Sequence, residues 1–249
     1  MTFAPYRVAL VTGASGLVGQ ALVERLCGDG LIVHAVSRDR ERLGSLADRT
    51  GCIPHPLDIA DTNALETLIP TLDIDLLVNN AGAGAPGRLA DSDAAAVDAQ
   101  IDVNLRAVLH LVRLAVPGMV ARNRGHIVTV GSIAGHYSFP GNAAYHASKA
   151  GITLLTRQLR LDLQGSRVRV TEITPGRIRT EMFAKALNTS TAEAEQMFFE
   201  GYEPLLPEDI ADAVVYAVSA PQHVNVAHIE LLPTMQVPGG LTMTKSQPA

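Results

Sequence analysis

The chain has 249 residues, 47% hydrophobic, 18% charged and 4% aromatic, with no Trp and a formal net charge of −5. It is too hydrophobic for a disordered chain and too acidic for nonspecific nucleic-acid binding, and it is long enough to bury one large core. The apolar mass is aliphatic, which suits buried parallel strands covered by Ala- and Leu-rich helices.

In chain order, Val8–Val11 reads as a strand and Leu17–Leu26 as a helix. Leu31–Val36 is a second strand, Arg40–Ala47 a short helix, and Cys52–Leu57 a third strand broken by Pro54 and Pro56. Ala64–Ile69 reads as helix, and Asp75–Val78 as a strand that runs into Asn79-Asn80-Ala81-Gly82. Residues 91–122 are helical with an interruption at Pro117-Gly118. A strand at His126–Val130, a helix at Ala143–Leu163, a strand at Val168–Ile173, a helix at Glu208–Ser219 and a strand at His228–Leu232 complete the chain. Strand–helix alternation over the whole length predicts an α/β fold: a three-layer, doubly wound parallel sheet in a single domain spanning residues 1–249. Residues 177–205 break the rhythm. They form either a short helical lid over a ligand or a surface helix pair.

The segment Met1–Arg7 lacks the apolar core of a signal peptide, so a cytoplasmic location is expected. Cys27 and Cys52 are expected to be small reduced hydrophobes, and with no CxxC spacing no metal is expected. The longest stretch without Asp, Glu, Lys or Arg, Gly125 to Ser148, carries Gly, Ser, His, Asn and Pro throughout. It is therefore no membrane span.

Gly13-Ala14-Ser15-Gly16-Leu17-Val18-Gly19 lies between the first strand and first helix. That context is the one a dinucleotide fingerprint requires: glycines let the backbone approach a pyrophosphate, which the helix N–H groups bind. The second strand ends at Ser37-Arg38 without the acid that grips the ribose hydroxyls of NAD. Arg38 suits a 2′-phosphate instead, so NADP is the expected cofactor.

Tyr145 and Lys149 stand four apart in a helix and share a face. An ammonium beside a phenol, together with a cationic nicotinamide, lowers the phenol's pKa into a usable range. Ser132 follows a strand and can hydrogen-bond a substrate oxygen.

The order of glycine loop, Asn79–Gly82, Asn104, Ser132, Tyr145-x-x-x-Lys149 and Pro175-Gly176 resembles the short-chain dehydrogenase/reductase family over essentially the whole chain. The resemblance implies a Rossmann-type domain that transfers a hydride between nicotinamide and a carbonyl or secondary-alcohol carbon. It implies Tyr145 as general acid/base, Lys149 as its activator and ribose ligand, Ser132 as positioner of the reacting oxygen, and Asn104 as holder of a relay water. It also places Asn80, Ala81, Gly82 and Asp58 along the adenosine side and Pro175, Gly176, Ile178 and Thr180 around the nicotinamide. Gly13, Ser15, Gly16, Leu17, Val18, Ser37 and Arg38 complete the expected cofactor site. The spacing Gly13, Gly16, Gly19, with Leu17 where the compact branch has a second glycine, looks like the longer epimerase-type branch. An epimerase would need a longer substrate domain than this chain has room for. A homo-oligomer, tetramer or dimer, built through the helices at 101–122 and 143–163 is also implied.

Pro207–Ala211, Ala220–Asn225 and Leu231–Thr234 are similar to a bacterial subgroup of NADP-dependent 3-hydroxy-acid dehydrogenases acting on serine-like substrates, and to antibiotic-pathway aldehyde reductases. For the small-molecule carbonyl or alcohol substrate, His136, Arg177 and Phe183 are pocket candidates. Arg177 and Arg179 could pair with a carboxylate or with lid surface charges. Met182, Phe183, Met197, Phe198 and Phe199 would make an apolar lid, which favours a bulkier ketone or aldehyde. A non-catalytic NADP-binding sensor on the same fold is the alternative function.

Overall fold

The computed structural model describes residues 5–85, 87–181, 184, 189–201 and 203–238. Among the described residues seven strands, all parallel, form one sheet: β1 (Val8–Thr12), β2 (Ile32–Ser37), β3 (Ile53–Pro56), β4 (Leu76–Asn79), β5 (Gly125–Val130), β6 (Val168–Pro175) and β7 (His228–Leu231). Their spatial order is β3-β2-β1-β4-β5-β6-β7. The winding therefore reverses between β1 and β4, where a doubly wound sheet opens a crevice at its carboxyl edge.

Two helical layers cover the sheet. Helices α1 (Leu17–Gly28) and α2 (Arg40–Thr50) pack on one face with the late helix Pro207–Ser219, and α3 (Thr62–Leu68), α5 (Ala107–Ala121) and α6 (Ala143–Asp162) pack on the other. Alternation along the strands divides the core between the faces. Ala9, Val11, Leu76, Val78 and Val128 join the first layer, while Leu10, Leu77 and Ile127 join the second. Strands buried on both faces explain the aliphatic composition: every residue of β4, β5 and β6 is buried.

Two predicted interruptions resolve differently. Pro54 and Pro56 lie inside β3, which pairs only with β2 and is the sheet's edge. An edge strand tolerates prolines because a missing N–H on its open side breaks no ladder bond. Pro117 lies inside α5 and does not end it. It faces solvent, so the carbonyl it leaves unbonded one turn earlier can be hydrated.

The helical run predicted at 91–122 is in fact composite. A 3₁₀ turn at Leu89–Asp91 precedes α4 (Ala94–Ile101), and a π-helical turn at Asp102–Arg106 joins α4 to α5. The run Ala94–Ala121 is long and apolar enough to cross a membrane by composition. Yet α5 buries Leu111 and Met119 completely against the sheet, as a core helix does.

After β6 the chain leaves the sheet, and it returns alongside Ile178 at Leu205 in an isolated parallel bridge. The two ends are tied together, with the Arg179 N–H donating to the Leu205 carbonyl and the Leu205 N–H to that of Arg177. Between them, α7 (Thr191–Phe198) starts on a capping box of Ser190 and Glu193, and α8 (Pro207–Ser219) follows the return.

Candidate active site

The residues singled out in the sequence gather along the carboxyl edge of the sheet. The loop after β1 turns at Gly13, whose φ of +66° favours glycine. A Cβ there would stand 2.7 Å from the Ala81 Cα, so this loop and the loop after β4 touch only because Gly13 has no side chain. A Cβ on Gly19 would meet the Gly13 carbonyl oxygen at 2.1 Å, which is how α1 starts so close beneath the turn. Gly16 is less constrained, with its nearest neighbour at 3.5 Å. It is the N-cap of α1 and offers no side-chain cap, which leaves the first N–H groups of the helix for another partner such as an anion. Leu17 itself is exposed.

Thr12 joins the two loops. Its hydroxyl accepts from the Asn80 and Ala81 N–H groups at 3.1 and 3.2 Å, while the Asn80 amide donates back to the Thr12 carbonyl at 3.0 Å. Ser15 and Ser37 share a hydrogen bond of 2.6 Å, linking the glycine loop to the end of β2. Just beyond, the exposed Arg38 guanidinium lies 3.6 Å from the Asp58 carboxylate. An exposed pair of this kind holds little energy and leaves Arg38 free to turn to a better anion.

Ser132 follows β5 and caps the 3₁₀ turn Ile133–Gly135, accepting from the Ala134 N–H at 3.1 Å. Its hydroxyl also lies near enough to the Tyr145 phenol to favour the phenolate. Lys149 is buried on the same face of α6, with its ammonium 5.7 Å from the centroid of the Tyr145 ring. That ammonium donates to the Val130 carbonyl at 3.0 Å. Burial holds Lys149 down to about 8, and the nearby Glu172 carboxylate opposes the shift. Tyr145 differs from the sequence expectation: in the chain alone, burial raises its pKa, and the Ser132 hydroxyl only partly offsets the rise.

Asn104 sits in the π turn, fully buried. Its carbonyl accepts from the Ala83 N–H at 2.7 Å, and its amide donates to the Ala83 carbonyl at 2.8 Å and to the Ser148 hydroxyl at 3.0 Å. The side chain thus clamps the loop after β4 to the helix of Tyr145. Thr12, Ser148 and Glu172 were not singled out by sequence reading. Only Ser148, beside Lys149 in the helix, carried a local signal.

A family model described as short chain dehydrogenase matches residues 7–191. The chain belongs to the short-chain dehydrogenase family. An uncharacterised short-chain type dehydrogenase/reductase of Sinorhizobium fredii is 39% identical over 241 residues, covering 96% of each chain. The NADP-dependent 3-hydroxy acid dehydrogenase of Salmonella typhi is 36% identical over 249 residues, covering 96% of this chain and all of that one. Among solved structures, the closed form of a serine dehydrogenase complexed with NADP+ superposes with a TM-score of 0.91 at 34% identity, covering 96% of this chain and 100% of that one. This short-chain dehydrogenase is accordingly an oxidoreductase on a Rossmann-type α/β domain.

The remaining candidates of this dehydrogenase are less uniform. Pro175 ends β6, and Gly176 donates its N–H to the Leu231 carbonyl at 2.7 Å. A Cβ at Gly176 would collide with the Gln236 amide oxygen at 2.4 Å. That oxygen also accepts from the Arg177 N–H at 2.8 Å. Ile178 bridges to Leu205, and Thr180 is half-buried beyond it. Arg179 pairs with Glu195 at 3.1 Å and lies over the ring of buried Phe199. Its partners thus lie within the segment 177–205. Met197 is 64% exposed. Met182 and Phe183 lie outside the described residues. His136 turns its Nε2 toward Glu172, at 3.4 Å, and toward Thr153.

Proposed function

We propose that the chain is an NADP-dependent oxidoreductase that moves a hydride between the nicotinamide and a carbonyl or secondary-alcohol carbon, with 3-hydroxy acids the leading substrate class. The observation that carries it is the convergence of Ser132, Tyr145 and buried Lys149 at the carboxyl end of β5. The residues fit the cofactor. Gly13 and Gly19 leave the cradle that any Cβ would fill, and α1 begins without a side-chain cap. Gly13, Ser15, Gly16, Leu17 and Val18 would hold the pyrophosphate, Ser37 and Arg38 the 2′-phosphate, and Asp58, Asn80, Ala81 and Gly82 the adenosine. Pro175, Gly176, Ile178 and Thr180 would lie around the nicotinamide. When bound, the cofactor supplies the hydride.

Tyr145 holds the proton. Its raised pKa keeps the phenol protonated at neutral pH, as an acid for carbonyl reduction must be. Ser132 donates to the same oxygen that Tyr145 protonates and fixes its distance. Lys149 stabilises the phenolate as it forms, and Asn104 keeps the loop after β4 against α6. The segment 177–205, tied at Arg179 and Leu205, acts as a lid that excludes water, and an Arg such as Arg177 suits a substrate carboxylate. The relatives' names support the acid class, since one acts on 3-hydroxy acids and another on serine. We assign the chain to the cytoplasm as a homo-oligomer joined through α5 and α6.

The test is NADPH oxidation with 3-oxo acids, aldehydes and bulky ketones, for the wild type and Tyr145→Phe. The variant's rate should fall roughly 10²- to 10⁴-fold, the usual worth of a positioned acid. Equal rates would sink the mechanism.

A further inference from the structure

A second cluster of chemistry-bearing side chains stands one turn beyond Ser132, on three elements far apart in sequence. His136 caps the 3₁₀ turn after β5, Glu172 lies in β6, and His228 opens β7. Glu172 and His228 are direct partners in the parallel register of β6 and β7, so they project from the same face of the sheet. One ligand atom from each of the three side chains falls within 4.8 Å of the other two. The His136 Nε2–Glu172 Oε1 separation is 3.4 Å. Tetrahedral zinc with bonds of ~2.0–2.2 Å holds its ligand atoms roughly 3.3–3.5 Å apart.

We propose that His136, Glu172 and His228 form a binding site for a divalent cation of zinc's type. Two imidazoles and one carboxylate are a ligand set that borderline cations prefer over magnesium or calcium. The surroundings match a metal site's outer shell. Thr153 donates to Glu172 Oε1 at 2.7 Å and Thr156 to Oε2 at 3.5 Å, which orients the carboxylate. Thr174 engages Nε2 of His228 at 2.5 Å, which selects the ring's tautomer. Gly131 leaves the carboxylate its space, since a Cβ there would stand 2.8 Å from Glu172 Oε1. Glu172 is buried, His136 half-buried and His228 exposed, so an ion has an entry path. The fourth position is left to water or to a substrate oxygen. No motif spacing announces this site, because its ligands stand 36 and 56 residues apart and only the sheet register joins them. The proposal stands independently of the hydride-transfer reading.

The experiment titrates the chelator-stripped full-length chain with Zn2+, read by competition with a chromophoric chelator, and with Co2+, read by visible absorption. One Zn2+ per chain and a Co2+ absorption band are expected, with affinity falling at least roughly ten-fold in His228→Ala and in His136→Asn. His228 is exposed, so its substitution leaves the core intact, and circular dichroism checks the fold of both variants. His34 and His55, 2.8 Å apart between β2 and β3, are the competing imidazole pair. Binding must survive His34→Asn. Absence of Zn2+ binding by the wild type, unchanged affinity in His228→Ala, or loss in His34→Asn overturns the proposal.

Discussion

At the scale of single residues, charge and burial set the chemistry. Lys149 is held down to about 8 by burial, against the pull of Glu172. As pH rises through that value the ammonium loses its proton, and with it the support for the Tyr145 phenolate. The expected outcome is that kcat/KM for NADPH-driven reduction falls above a pH of about 8. In Glu172→Gln, where the opposing carboxylate charge is gone, the fall should begin at lower pH; an unmoved limb would show that Glu172 does not act on Lys149. Arg38 poses a separate question, because its partner Asp58 holds it only loosely across 3.6 Å of exposed surface. Arg38→Ala should raise the KM for NADPH roughly ten- to hundred-fold, the equivalent of one charge-assisted hydrogen bond, and leave the KM for NADH unchanged. An unaltered ratio of the two constants would remove the 2′-phosphate role.

Among the elements, the junction of β1 with α1 carries the tightest constraint. Two glycines with similar places in the motif have different physical jobs. Gly19 faces the Gly13 carbonyl, where a Cβ would fit only at 2.1 Å, and Gly16 faces nothing nearer than 3.5 Å. Gly19→Ala should therefore force α1 away from the loop, with an overpacking cost of about 1–3 kcal/mol seen as a lower Tm and weaker NADPH binding. Gly16→Ala should lose much less of either. Thermal melts and fluorescence titrations of the pair separate the two cases. The π turn between α4 and α5 is the second special element. It seats the buried amide of Asn104 between Ala83 and Ser148, which ties the loop after β4 to the Tyr145 helix.

For the whole molecule, the layering leaves apolar side chains on the outward faces of the helices that cover the second core. Leu109 and Val120 on α5, and Leu154 and Leu161 on α6, are exposed, with Leu154 at 66%. Single exposed apolar residues are ordinary, but four on two adjacent helices make a surface suited to a second copy. The wild type should elute as a dimer or tetramer in light-scattering chromatography, and the double variant Leu154→Lys with Leu161→Lys should elute smaller. A wild-type monomer would overturn the assembly.

The fold class was legible in the chain because alternation of apolar strands with helical runs is a local pattern, and so were the glycine loop and the Tyr145–Lys149 pair, whose members lie within one turn of each other. Even the edge character of β3 was latent in Pro54 and Pro56, although the sheet order was needed to turn an apparent break into an edge strand. What tertiary structure alone decided is whatever joins distant segments: Arg38 meeting Asp58, Asn104 engaged by Ala83 and Ser148, burial raising Tyr145, and His136, Glu172 and His228 drawn together by strand register. Sequence spacing reports neighbours along one element, whereas hydrogen-bond partners, desolvation and cross-strand pairing arise only after the sheet has brought the elements side by side.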